Sequence, residues 1–145
     1  MILSATQEEE LPYCGDRGAD SVFRRVVHFL RTTKVYRKDV IFDPHRPRCQ
    51  LYGRICRGHK EVFVVHRPPH YPAARNLLHE GLHAIHAIYE SGVGRETAIE
   101  NLENKLWCEL LTYKQKCFLG RFVPRHSVKK EPCHTIKKNN AGEGS

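Results

Sequence analysis

The chain has 145 residues, with 24 lysines and arginines against 16 aspartates and glutamates, for a formal net charge of +8. That length suits one domain able to bury its own core without disulfide staples. No run of about 18 apolar residues occurs, so no membrane-spanning helix is expected.

The first residues, MILSATQEEELPYC, lack a basic n-region and an apolar h-region, so no secretory signal is expected. The six cysteines (Cys14, Cys49, Cys56, Cys108, Cys117, Cys133) contain no CxxC pair. Free thiols and a cytoplasmic location are therefore expected. Residues 1–18 read as a flexible N-terminus, 19–122 as the folded domain and 123–145 as a basic disordered tail.

A helix is predicted from Asp20 to Thr33, capped by Asp20 or Ser21, with Val22, Val26, Phe29 and Leu30 as its apolar stripe. His28 on it reads as a surface residue. Val40-Ile41-Phe42 has strand composition, and residues 43–47 (DPHRP) form a turn. Residues 49–56 (CQLYGRIC) read as a strand interrupted by Gly53, and 57–60 (RGHK) as a hairpin turn. Glu61–His66 is the clearest strand and is expected as an edge onto which an extended peptide could add. Arg67–Pro72 carries three prolines and must be an extended lead-in.

A second helix is predicted from Pro72 to Tyr89, with Gly92 and Gly94 beyond its end. It contains His79-Glu80-Gly81-Leu82-His83, an HExxH motif. Histidines four apart stand on one helical face, their Cβ atoms about 6 Å apart, so one Zn²⁺ can sit between them. Glu80 then lies beside the metal's open position, where it can take a proton from bound water. His86 extends the histidine face and reads as a surface or substrate-orienting residue.

A third helix is predicted from Arg95 to Phe118, with Ile99, Leu102, Leu106, Leu110 and Tyr113 at helical spacing. Glu100 and Glu103 both fall within its apolar arc, where a carboxylate is costly unless paired or metal-bound. A catalytic zinc generally takes three protein ligands plus water, so one of these glutamates completes a His₂Glu set. Glu100 is favoured because Asn104, on the same face, could orient a ligating histidine. Glu103, nearer the middle of the arc, stays open as the alternative.

These motifs resemble a minimal gluzincin zinc metallopeptidase, nearest to the ImmA/IrrE group. That group carries HExxH and, on the next helix, a pattern close to E-x-x-A-[ND]-x-F-A-x-x-L-L. Glu100-Asn101-Leu102-Glu103-Asn104-Lys105-Leu106-Trp107-Cys108-Glu109-Leu110-Leu111 matches at the glutamate, the asparagine, Leu106 and the Leu-Leu. It departs at Glu103, at Trp107-Cys108, and at Thr112-Tyr113, where Met-Pro is common. The resemblance covers roughly residues 20–118 and rests on two short motifs. It implies an α+β, zincin-like fold: an N-terminal helix, a small mostly antiparallel sheet, the HExxH helix and a glutamate helix. It further implies zinc-dependent cleavage of a protein or peptide, with His79, His83 and Glu100 as ligands and Glu80 as general base. His66, His70 and Tyr113 are unranked candidates for stabilising the oxyanion.

The competing reading is a non-catalytic, basic nucleic-acid- or partner-binding regulatory module with a structural metal or none. Arg24, Arg25, Arg31, Lys34, Arg37 and Lys38 would supply much of its charge. A structural metal site has no need of a carboxylate at Glu80, which argues against it. His126, Cys133 and His134 in the tail fit no strong metal-binding spacing.

Overall fold

The computed structural model describes residues 11–13, 15–86 and 94–130. Helix α1 spans Arg17–Arg31 and begins a turn earlier than expected, because Asp16 is its N-cap. Asp16 sits in extended backbone, and its Oδ1 accepts from the Ala19 amide at 2.8 Å. Asp20 lies inside the helix instead. It is buried, pairs with Arg24 Nε at 3.1 Å and accepts from Gln115 Nε2 at 3.4 Å. The buried stripe of α1 is Ala19, Phe23, Val26, Val27 and Leu30. Val22 and Phe29 lie at its margin.

Among the described residues five short strands follow: β1 (Lys34–Arg37), β2 (Ile41–Asp43), β3 (Arg46–Leu51), β4 (Gly53–Cys56) and β5 (Glu61–Val64). They form two mixed or paired sheets. The larger has the order β1-β5-β4, with β1 parallel to β5 and β4 antiparallel to it. The smaller is the antiparallel β2–β3 hairpin, in which Ile41 faces Leu51. β5 is therefore the central strand, not an edge, and Val62, Phe63 and Val64 are fully buried. A continuous apolar run is what a strand covered on both faces requires. The edge next to the candidate site is β4.

Helix α2 (Ala73–Ile85) packs against α1, β4 and β5, and against the two helices that follow. Leu77, Leu78 and Leu82 are fully buried on it. Gly81, inside the HExxH motif, faces α1. A Cβ there would lie 2.7 Å from Val26 Cγ1, so the missing side chain lets the two helices close. Gly81→Ala is expected to destabilise the fold by about 1–2 kcal/mol, because overpacking outweighs alanine's better helix propensity. Urea unfolding monitored at Trp107 would read this as a lowered midpoint at unchanged slope.

The predicted third helix is broken into parts: α3 (Gly94–Lys105), a π-helical turn (Leu106–Leu110) and α4 (Tyr113–Gly120). Leu111 is extended and Thr112 restarts the helix through a capping box with Gln115. Thr112 Oγ1 accepts from the Gln115 amide at 3.1 Å, and Gln115 Oε1 accepts from the Thr112 amide at 3.0 Å. Those reciprocal bonds make a new helix start cheaper than continuation.

The tail is not disordered from residue 123. Val128 donates to the Arg37 carbonyl at 2.7 Å along the free side of β1, and Ser127 Oγ donates to Asp39 at 2.7 Å. Buried Lys38 donates to the Lys130 carbonyl at 2.9 Å, and Lys130 Nζ pairs with Glu61 at 2.7 Å. A buried ammonium and a buried carboxylate both need partners, and this segment supplies them. At the other end, Leu11 is buried and Gln115 donates to the Pro12 carbonyl at 3.2 Å, so the folded unit also begins before residue 19. The rest of both predicted flexible ends, 1–10 and 131–145, lies outside the described residues. Cys49, Cys108 and Cys117 are free thiols, but Cys56 is disulfide-bonded, which corrects the expectation there. Spacing along the chain does not report which sulfurs the fold brings together. Among the described residues no helix is long and apolar enough to cross a membrane.

Candidate metal centre and cavity

The lead-in to α2 is pinned before the motif begins. Arg67 and Tyr71 exchange two backbone hydrogen bonds of 2.9 Å. Asn76 Nδ2 donates to the Val65 carbonyl at 2.9 Å and the Tyr71 carbonyl at 3.0 Å. Pro72 occupies the N-cap and brings no side-chain oxygen, so the first helical amide, Ala73, donates to His66 Nδ1 at 3.0 Å. These contacts set the register of α2 against β4.

His79 and His83 then meet as their spacing requires, with the two Nε2 atoms 3.2 Å apart. The carboxylate that joins them is Glu96, in the first turn of α3. Its Oε2 lies 3.1 Å from His79 Nε2 and its Oε1 2.9 Å from His83 Nε2. Nitrogen and oxygen ligands held at about 2.0–2.1 Å by a tetrahedral zinc stand about 3.3 Å apart. The separation of the two Nε2 atoms, and that of each from its nearer Glu96 oxygen, lie close to that edge length. Two imidazole lone pairs facing each other at this distance also need a proton or a cation between them. His79, His83 and Glu96 can therefore hold one metal ion.

The structure does not bring Glu100 into this set. Glu100 is exposed one turn along α3, with its carboxyl beside that of Glu96. Nor does the structure place Glu103 with the three donors that gather there. Glu103 is buried, as its place in the apolar arc requires, and lies 2.7 Å from His79 Nδ1. Its other oxygen pairs with Arg75 Nε. Glu103 accepting from Nδ1–H leaves the Nε2 lone pair of His79 turned toward the metal position. Asn104, expected to orient a histidine, binds Arg75 Nη2 instead. Arg75 thus holds Glu103 and Asn104 together, and its third nitrogen donates to the His70 carbonyl at 3.2 Å.

Glu96 lies four residues before Glu100 and seven before Glu103, on the same face of α3, so the apolar arc alone does not choose among the three. At the rim of the cavity the side chain of Glu96 is 54 % exposed, whereas Glu103, farther along that face, is buried. Only the crossing of α2 and α3 decides which turn of α3 meets the histidines. The sequence signal that points to Glu96 is that spacing, together with an acidic residue in the first turn of the helix after the motif.

Glu80 is buried on the other side of His79, against β4. A Cβ at position 53 would lie 2.8 Å from Glu80 Oε2, so Gly53 is what allows the strand to pass this close. Burial, above all, raises the Glu80 carboxyl to about 7, with the positive charges of His79 and Arg54 opposing. Burial works the other way on His79. The hydrogen bond to Glu103 and the charges of Glu80, Glu96 and Glu103 outweigh it and raise the imidazole to about 9. Glu103 is pulled below the usual carboxylate range, because its bonds to His79 and Arg75 overcome burial.

These groups open on a cavity of about 870 Å³. Its floor is α2, one wall is α3, and the other wall is the continuous stretch Gln50–Ile55 containing the β4 edge. His66, His70 and Tyr113 do not line it. His66 is committed to the start of α2, and Tyr113 is 80 % exposed on α4. Arg54, Tyr52 and Tyr71 line the cavity in their place. His86 ends α2 away from it, and His28 is exposed on α1. Arg46 and Arg48 are exposed on β3, while Arg25 Nη2 donates to the Ile85 carbonyl at 3.2 Å. No family model, no curated protein and no solved structure matches this chain.

Proposed function

We propose that the chain is a zinc-dependent peptidase with a zincin-like arrangement, in which His79, His83 and Glu96 hold the metal and Glu80 is the general base. The observation that carries this reading is the convergence of two histidine Nε2 atoms, 3.2 Å apart, on the two oxygens of one carboxylate at 2.9 and 3.1 Å, beside a buried carboxyl that lines the same cavity. A structural zinc site is closed by four protein ligands, whereas three donors facing a cavity leave room for water and substrate. Zinc bound there would polarise a carbonyl and lower the pKa of its water toward about 7. Glu80, poised near 7, takes a proton from the attacking water and hands it to the leaving nitrogen. Glu103 and Arg75 keep the His79 ring in one orientation throughout. An extended substrate pairs with the outer edge of β4 by backbone hydrogen bonds, in place of the β5 edge expected from sequence.

The test is cleavage of a quenched-fluorescent unfolded polypeptide by zinc-loaded protein, abolished by a chelator and restored by zinc. No cleavage under any metal load would overturn the reading and favour the basic binding module.

Zinc affinity should also depend on pH in a direction fixed by His79. Its Nε2 must lose a proton to ligate, and without metal the imidazole keeps that proton up to about pH 9. Below that pH, apparent affinity should fall by up to about tenfold per pH unit. Competition with a chromophoric chelator at pH 6, 7 and 8 would measure the slope. Glu103→Gln, which removes the charge raising His79, should flatten it above pH 7.

A further inference from the structure

Next to the metal position the cavity wall carries an aromatic stack that the proposed chemistry does not use. The Tyr52 and Tyr71 rings lie 4.7 Å apart and 11° from parallel. The Arg75 guanidinium sits over the Tyr71 ring, 4.8 Å from its centroid. Each layer is held from behind. Tyr71 is fixed by its paired backbone bonds to Arg67 and by Asn76, and Arg75 by Glu103, Asn104 and the His70 carbonyl. Tyr52 accepts from the Val65 amide at 3.0 Å. Despite that anchoring, Tyr52 is 48 % exposed and lines the cavity.

We propose that Tyr52, backed by Tyr71 and Arg75, is a specificity subsite that takes a flat aromatic side chain of a peptide lying along β4. The inference rests on the peptidase reading for its register. Tyr52 immediately precedes Gly53, against which the Glu80 carboxylate packs. At about 3.3 Å per residue, a side chain meeting Tyr52 belongs to a residue within one or two positions of the bond facing Glu80. A flat ring gains most there, because aromatic pairs prefer offset stacking and the backbone carrying each tyrosine is already hydrogen-bonded in place. Leu51 and Ile55 line the same cavity and give the rest of such a side chain an apolar surround.

The experiment separates this subsite from the activity. Labelled hexapeptides that differ only by phenylalanine, tryptophan or alanine at each position in turn are titrated by fluorescence anisotropy into zinc-loaded Glu80→Gln protein. At one position the aromatic peptides should bind about three- to tenfold tighter than the alanine peptide. That ratio should collapse to about one in Glu80→Gln/Tyr52→Ala and persist in Glu80→Gln/Tyr52→Phe. Equal affinity for aromatic and alanine peptides overturns the subsite, as does an aromatic preference that survives Tyr52→Ala. Binding of an oligonucleotide but of no peptide, lost in Tyr52→Ala, also overturns it and assigns the stack to a nucleobase. Turnover of the same peptides by the wild-type chain is scored separately. Aromatic preference in binding without turnover supports the subsite and removes the peptidase reading. Turnover with no preference at any position does the reverse.

Discussion

Glu96→Ala is expected to strip the metal from this protein, and Glu100→Ala to leave it in place. Among the described residues Glu96 is the carboxylate with oxygens within 3.1 Å of both histidine Nε2 atoms, so its loss leaves the two imidazoles without an oxygen donor between them. Glu100 is exposed beside it, and removing its charge leaves that donor set intact. Glu103→Ala should fall between the two. It removes no ligand but frees the His79 ring and leaves the buried Arg75 guanidinium without its carboxylate. Loss of such an orienting partner typically costs about 10–100-fold in metal affinity. Losing the third ligand itself should cost more than that. Zinc content after exhaustive dialysis, together with affinity from chelator competition, would rank the variants. Metal lost from Glu100→Ala and retained by Glu96→Ala would reverse the assignment of the third ligand. Because unpaired Arg75 is also destabilising, thermal unfolding of each metal-free variant belongs beside the zinc data.

Glu80→Gln is expected to cut turnover by about 10²–10⁴-fold while zinc remains bound, the range associated with a general acid–base group. The exchange is nearly isosteric, so the close passage of Gly53 is preserved. What is lost is a group able to accept a proton. In the metal-free protein Glu80 is buried and raised to about 7, so its burial favours the neutral form and opposes folding as pH rises from the ordinary carboxylate range toward 7. Glutamine carries no such charge. Glu80→Gln should therefore be at least as stable as the wild type above pH 7, and this separates a catalytic defect from misfolding. A variant that keeps full turnover would remove Glu80 from the chemistry. One that loses zinc as well would mean that Glu80 acts on the metal shell and not on the proton.

The sequence by itself determined the features governed by local spacing. His79 and His83 fall on one face because a helix repeats every 3.6 residues, and the apolar stripe of Leu78 and Leu82 fixes which face turns inward. β5 is legible as a strand from its apolar run, and the short turn at 57–60 joins it to β4. The burial of Glu103, and its need for a partner, follow from its place in the apolar arc. The restart of a helix at Thr112 was also written in the Thr-x-x-Gln spacing, though the longer apolar periodicity masks it. Pairings between distant segments were decided only by the tertiary structure. Which glutamate reaches the histidines depends on how α3 crosses α2, and that crossing is set by the packing of Ile99 and Leu106 into the shared core. Which strand is the edge depends on β1 pairing with β5 in parallel across the whole β2–β4 excursion. Residues 123–130 are polar and look unfoldable in isolation, yet Lys38 and Glu61, buried elsewhere in the fold, give them partners. In each case the deciding contact joins residues far apart along the chain. Its energy depends on desolvated charge and side-chain packing, which no local pattern encodes.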